Sequence, residues 1–316
     1  MATTPVGSKP LYPEPIRVEA DPDNGFWSAY YLFLPATLQK AVGDEAATLL
    51  VIPNNTGKVS DDMAVHERAA LRDINDRRRL ATSLNVGLLM PVFPRPASDD
   101  LIYTHALGRT AMEAKDPRLH HLDLQLVRMI DNARSREKRE HIRFHKRVLL
   151  FGFSASGMFV NRFVFMHPDR VKAATIGSPG GWAIAPVSQW QGHSLPYPIG
   201  VADFHTVTGS RFRLKKVAQV PQLLYMGTAD QNDSVVYHDS YDEESKTLIF
   251  SLFGDTLMRR WLTSVDLYNK YLPKVVLKLY PGAAHQITKD MMRDCELFLR
   301  QHIDSTNLRD LAAESR

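Results

Sequence analysis

Apolar positions along this chain follow two rhythms. Short, nearly continuous apolar runs occur at Ser28–Pro35 ("SAYYLFLP"), Ala47–Asn54 ("ATLLVIPN"), Val86–Pro94 ("VGLLMPVFP") and Arg147–Phe153 ("RVLLFGF"). Three more follow at "KAATIGS" (172–178), Val220–Gly227 ("VPQLLYMG") and Lys274–Gly282 ("KVVLKLYPG"). Between them lie stretches whose apolar residues recur every three or four positions. One starts at Ser60, where Asp61 and Asp62 mark a helix start, and runs toward Leu80. Others are His121–Arg134, "MFVNRFVFM" up to the His167–Pro168 step, Asp242–Tyr271, and a terminal helix after the last strand. A short strand without polar alternation is covered on both faces. Strand, helix, strand, repeated in this way, predicts a mostly parallel central sheet with helices on both faces.

The ends and one interior stretch depart from the rhythm. Prolines at 5, 10, 13 and 15 predict an extended N-terminal arm over 1–25, leaving 26–316 as a single α/β domain. Ser178–Ala218 has little periodicity and holds Trp182, Trp190, Tyr197 and Phe204. A connection this long inside a compact domain is a lid or cap rather than slack chain. Its four rings either line a substrate pocket or pack the lid, and the sequence leaves both open. The Asp242–Tyr271 segment offers a further cap or a dimer surface.

Composition narrows the function classes. Of 316 residues, 44% are apolar and 23% charged, ordinary for a soluble globular chain. The net charge of +4 concentrates in Asn132–Arg147 and at Arg77–Arg79 without interleaved aromatics, which reads as solvated helix faces and predicts no nucleic-acid partner. The single cysteine, Cys295, excludes an internal disulfide and agrees with a reducing compartment. No signal-like apolar core opens the chain and no apolar run approaches 18 residues, so a cytoplasmic protein without a membrane partner is expected. No cysteine pair has metal-ligand spacing, and no G-x-G-x-x-G or Walker loop follows the first strand. No metal and no cofactor is expected.

The candidate chemistry lies at strand ends. "FGFSASG" (151–157) joins an apolar strand to an apolar helix and nearly spells G-x-S-x-G, with its second glycine one position late. A serine hydroxyl needs a base, a carboxylate to orient that base, and N–H donors for the oxyanion. On a strand-to-helix turn the flanking residues must also be small, because strand and helix cross closely. Gly152 stands at −2 and Ser156 at +2 from Ser154, and Ser156, flanked by Ser154 and Met158, is the poorer nucleophile. Downstream, Asp230 follows one strand in "MGTADQNDS", with Asp233 as reserve acid, and His285 follows another in "PGAAHQIT". Serine, acid and histidine thus come in the chain order of parallel-sheet hydrolases, each at the strand edge where such sheets place ligand sites. The other loop histidines, His105, His193 and His205, read as surface, structural or pocket residues. For the oxyanion hole, the N–H of Ala155 pairs with one from "PNNTG" (53–57), Asn55 ahead of Asn54 and Thr56.

On these residues the chain resembles the α/β-hydrolase superfamily: "GFSASG" is similar to its nucleophile elbow, "GTAD" to its acid turn and "GAAH" to its histidine turn. "GFSASGMFVNRFVFMHPDRV" is most similar to the polyhydroxyalkanoate-depolymerase-like and feruloyl-esterase-like serine esterases, over roughly residues 26–303. The resemblance implies an α/β-hydrolase fold with a lid insertion, Ser154 as nucleophile, Asp230 as acid and His285 as base. Two departures stand out: Ser156 replaces a glycine, and "PNNTG" stands where many members have His-Gly. The implied activity is hydrolysis of a small-molecule or oligomeric carboxylic ester. An acyltransferase, thioesterase or peptidase would use the same three residues, and a noncatalytic binding protein could share the fold.

Overall fold

Seven apolar runs become seven strands of one sheet. The computed structural model of the protein describes residues 12–40, 46–54, 57–103, 106–136 and 142–303. The strands are β1 (Ile16–Val18), β2 (Tyr30–Phe33), β3 (Leu49–Val51), β4 (Gly87–Pro91), β5 (Val148–Phe153), β6 (Val171–Gly177), β7 (Gln189–Trp190), β8 (His193–Ser194), β9 (Gln222–Gly227) and β10 (Val275–Tyr280). Eight of them form the central sheet in the order β1-β2-β4-β3-β5-β6-β9-β10. From β4 to β10 every pairing is parallel; β1 and β2 form an antiparallel margin. Every residue of β3, β4, β5 and β9 is buried, as their unbroken apolar runs require. β10 alternates between buried and exposed, as an edge strand with one covered face does. β1 lies within the predicted N-terminal arm, where the proline spacing hid a three-residue strand.

The helices are α1 (Ala36–Lys40), α2 (Met63–Leu84), α3 (Arg109–Met112), α4 (Leu122–Arg136), α5 (Ala155–Met166), α6 (Phe204–Thr208), α7 (Leu214–Val217), α8 (Glu243–Phe253), α9 (Leu257–Tyr271) and α10 (Lys289–Arg300). The sheet separates two apolar cores. On one face, Ile74 and Leu84 of α2 and Met291 and Cys295 of α10 pack on Leu149, Phe151 and their neighbours. On the other, α4, α5 and α9 pack on Leu49, Val51, Val148 and Leu150. Alternate side chains of one strand therefore serve opposite cores.

One helical stretch of the sequence is divided in the structure. The Asp242–Tyr271 segment is two helices, because Gly254 at φ 99° ends α8 and the Thr256 side chain caps α9 by accepting from the Arg259 N–H. α5 starts at Ala155, directly after the serine turn, so no loop separates strand from helix. Within Ser178–Ala218 the chain forms the small hairpin β7–β8 and the short helices α6 and α7. No helix among the described residues is long and apolar enough to cross a membrane.

Candidate functional site

Ser154 occupies the single-residue turn between β5 and α5 with φ 60° and ψ −127°, a left-handed conformation that costs a non-glycine residue roughly 1–3 kcal/mol. Its N–H donates to the Gly177 carbonyl at 3.0 Å, tying the turn to neighbouring β6. Small residues flank it for measurable reasons. A Cβ on Gly152 would lie 2.3 Å from the Ser156 carbonyl oxygen, and one on Gly157 would lie 2.3 Å from the Gly177 carbonyl oxygen. The late glycine is thus required at its own position, where α5 crosses the end of β6. Ser156, at the +2 position, is buried and turns its hydroxyl back: Oγ donates to the Phe153 carbonyl at 2.8 Å and accepts from the Phe153 N–H at 2.9 Å. That exchange saturates Ser156 and leaves Ser154 as the serine free to face outward.

The acid and histidine turns are laced together by their backbones. The Thr228 N–H donates to the Tyr280 carbonyl at 3.0 Å and the Ala229 N–H to the Ala283 carbonyl at 2.9 Å. The Gly282 N–H donates to Thr228 Oγ1 at 2.8 Å. Gly227 permits this approach, since a Cβ there would lie 2.0 Å from the Ala283 carbonyl oxygen. The lacing brings together three side chains that are far apart in sequence. His285 Nε2 is 2.9 Å from Ser154 Oγ, and His285 Nδ1 is 2.9 Å and 3.0 Å from the two Asp230 carboxylate oxygens. With Nδ1–H donating to Asp230, Nε2 is the basic nitrogen that faces the serine hydroxyl. The Phe153 ring lies against the imidazole, 5.0 Å between centroids.

Electrostatics distinguish the two candidate acids. Burial pushes the Asp230 carboxyl up, but hydrogen bonds from His285 and from the Asn232 N–H outweigh it. The group is held below its ordinary value and stays ionised. Asp233, three residues on, faces away from His285 and pairs with Arg260. Arg260 is itself 1% exposed and also donates Nε to the Gly181 carbonyl at 2.8 Å and Nη1 to the Gly254 carbonyl at 3.2 Å. Asp233 thus anchors the acid loop to α9. Asn232, between the two acids, is a site residue that the sequence reading did not single out. Its backbone N–H donates to Asp230 Oδ1 at 2.9 Å and its side-chain Nδ2 lies 3.2 Å from His285 Nε2. An asparagine in a turn is too common for its sequence position to signal this role.

Of the expected oxyanion donors, Ala155 heads α5, where the first N–H groups of a helix have no partner within it. Asn55 and Thr56 lie outside the described residues, as does His105. Asn54 uses its carboxamide to clamp the chain after β4, donating to the Phe93 carbonyl and accepting from the Phe93 N–H, both at 3.3 Å. The Ser60 N–H donates to the Arg95 carbonyl at 3.0 Å, so both described flanks of this loop are anchored to the same neighbour.

The aromatic residues of 178–218 pack into the fold. Trp182 stacks on Phe253 at 4.0 Å between centroids and donates Nε1 to the Ile199 carbonyl at 2.9 Å. Tyr197 is 1% exposed, donates to the Leu107 carbonyl and meets Phe204 edge to face; Phe204 is equally buried. Trp190 is half-buried against the same core. Trp182 borders a narrow cleft of about 20 Å³ beside Arg260. The ring that does face an open groove is Trp27, 38% exposed, which with Met63, Pro94, Pro96 and Leu119 lines a space of about 270 Å³. That groove lies beyond the end of β4, at the same edge of the sheet as Ser154. A second pocket, about 160 Å³, is lined by Phe153, Ser156 and Ile287 from the serine and histidine turns and by Asp73, Asp76 and Arg77 of α2. Burial pushes the Asp73 carboxyl up, against the pull of Arg72 and Arg77. Among the described residues, no group of three or more His, Cys, Asp or Glu could hold a metal ion.

No family model matches the chain, and no curated protein matches it in sequence. Its structure is similar to that of poly(aspartic acid) hydrolase-1 from Sphingomonas sp. KT-1, with a TM-score of 0.59 at 20% identity over 91% of this chain and 98% of that one. It is also similar to LpqC, a poly(3-hydroxybutyrate) depolymerase from Bordetella parapertussis, with a TM-score of 0.57 at 17% identity over 94% of each chain. The fold is the α/β-hydrolase fold, as the sequence resemblance implied.

Proposed function

We propose that the protein is a serine hydrolase that cleaves carboxylic esters through an acyl-enzyme on Ser154. His285 Nε2 takes the Ser154 proton as Oγ attacks the acyl carbonyl, and Asp230 holds the imidazole in the Nδ1–H tautomer and stabilises the imidazolium that forms. The carbonyl oxygen becomes negative beside the Ala155 N–H and an N–H of the 54–57 loop. His285 then protonates the departing alcohol, and a water deprotonated by the same nitrogen releases the acid and restores Ser154.

The observation that carries this reading is the unbroken chain of hydrogen bonds Ser154 Oγ–His285 Nε2, His285 Nδ1–Asp230, within 3.0 Å at each link, on a strained turn at the carboxyl edge of a parallel sheet. One structural neighbour is named for a polyester and another for a polyamide, which supports keeping oligomeric substrates beside small ones as candidates. The groove around Trp27 supports an apolar group on the substrate, and the edge it shares with Ser154 supports one ligand reaching both.

A fluorophosphonate probe tests the reading. It is expected to label the one peptide containing Ser154 and nothing in Ser154→Ala, which should also lose p-nitrophenyl acetate hydrolysis while keeping its thermal midpoint. Labelling of another peptide, or hydrolysis surviving the substitution, would refute it. A panel of acyl-chain-length and aryl esters then identifies the substrate class.

A further inference from the structure

The geometry points to Asn232 as an additional catalytic residue, one that donates a hydrogen bond from its carboxamide to the leaving-group oxygen as His285 protonates it. The inference rests on the ester-hydrolase reading above and adds a residue to it.

His285 Nε2 is the atom through which the transferred proton passes. In collapse of the tetrahedral intermediate the bond from carbon to the leaving oxygen breaks, and its electron pair goes to that oxygen. The oxygen takes the proton that Nε2 carries, and the imidazole returns to neutral. The leaving oxygen must therefore come within about 3 Å of Nε2. Asn232 Nδ2 lies 3.2 Å from Nε2. Spheres of hydrogen-bond radius around two atoms so close overlap, so there are positions from which one oxygen bonds to both.

The timing of the bond favours catalysis over ground-state binding. In the resting site the single in-plane lone pair on Nε2 faces two donors, the Ser154 hydroxyl at 2.9 Å and the Asn232 carboxamide at 3.2 Å. When the serine proton moves to Nε2, that lone pair is gone and the Asn232 N–H has lost its acceptor. At that moment the leaving oxygen is gaining charge beside it. An interaction that becomes available only in the transition state raises the rate rather than merely tightening binding. The residue is also anchored for this: its own backbone N–H is fixed on Asp230 Oδ1, so the side chain projects from the triad's acid turn and not from a free loop. Asn232 is exposed, so its removal leaves no buried polar group unpaired.

The test compares two esters of one acyl group, an ethyl ester with a poor leaving group and a p-nitrophenyl ester whose leaving group departs without protonation. Asn232→Ala is expected to lose about 10- to 100-fold in kcat/KM on the ethyl ester and less than about threefold on the p-nitrophenyl ester, the donor acting as one member of a hydrogen-bonding set. Asn232→Gln should recover part of the ethyl-ester rate. Fluorophosphonate labelling of Ser154 and the thermal midpoint should match wild type in both. An equal loss on both esters would assign Asn232 to orienting the ring or holding water, and no loss on either would remove it from catalysis; both outcomes overturn the inference. If the wild-type protein cleaves neither ester, the ester-hydrolase reading itself fails, a result separable from the ratio measured here.

Discussion

Asp230 and Asp233 lie on one turn, three residues apart, and face different partners. Asp230 meets His285 and Asp233 meets Arg260. This predicts two different phenotypes. Asp230→Asn should lower kcat on p-nitrophenyl acetate by about 10²–10⁴-fold, because the amide no longer fixes the imidazole tautomer. Asp233→Asn should leave the rate per folded molecule nearly intact and lower stability by roughly 3–5 kcal/mol, because it strands the buried Arg260 charge. Chemical denaturation and steady-state kinetics on the two variants check the pair; exchanged phenotypes would exchange the roles. The acid branch of stability follows the same logic. Asp230 is held below its unfolded value near 3.9, so its contribution is present above that pH and disappears as pH falls through the lower folded value. Asp230→Asn should therefore flatten the stability–pH curve below about pH 4, read from denaturant midpoints across the acid range.

At the scale of elements, the site depends on where strand ends cross. "GTAD" and "GAAH" are readable as small-residue turns after apolar strands. Nothing in either segment says that the two turns exchange backbone hydrogen bonds, because that contact spans more than fifty residues. Gly227 shows the consequence. Gly227→Ala would drive a Cβ to 2.0 Å from the Ala283 carbonyl and must separate the two turns. It should cost roughly 1–3 kcal/mol of stability. A misplacement of about an ångström between Asp230 and His285 should cost on the order of 10²-fold in kcat. Thermal melts and kinetics test this, and an unchanged kcat would show that the lacing does not set the triad. The same physics explains the break between α8 and α9. The apolar spacing continues across Gly254, so the period alone reads one helix, whereas φ 99° at that glycine ends it.

Across the whole molecule, the sheet divides two cores, and the irregular 178–218 stretch belongs to the one containing α4, α5 and α9. Its aromatic residues stood out in the sequence because they lie in an aperiodic segment. A ring in such a segment is equally consistent with a pocket wall and with an anchor. Tyr197 and Phe204 are buried, each 1% exposed, which favours the anchor. Phe204→Ala should lower stability by roughly 3–5 kcal/mol, with KM for aryl esters unchanged in the folded fraction. A raised KM with stability intact would return Phe204 to the pocket.

The sequence by itself determined the alternation of elements and the order serine, acid, histidine at strand ends. Those features are local: an unbroken apolar run specifies a strand covered on both faces, and small residues after it specify a tight turn. Tertiary structure decided what depends on distant segments meeting. It set Asp230 beside His285 and Asp233 beside Arg260, and it brought Asn232 to His285 Nε2. It also gave the late glycine of "FGFSASG" its reason, since Gly157 must be bare where α5 crosses the carbonyl of Gly177, a strand that the motif does not contain.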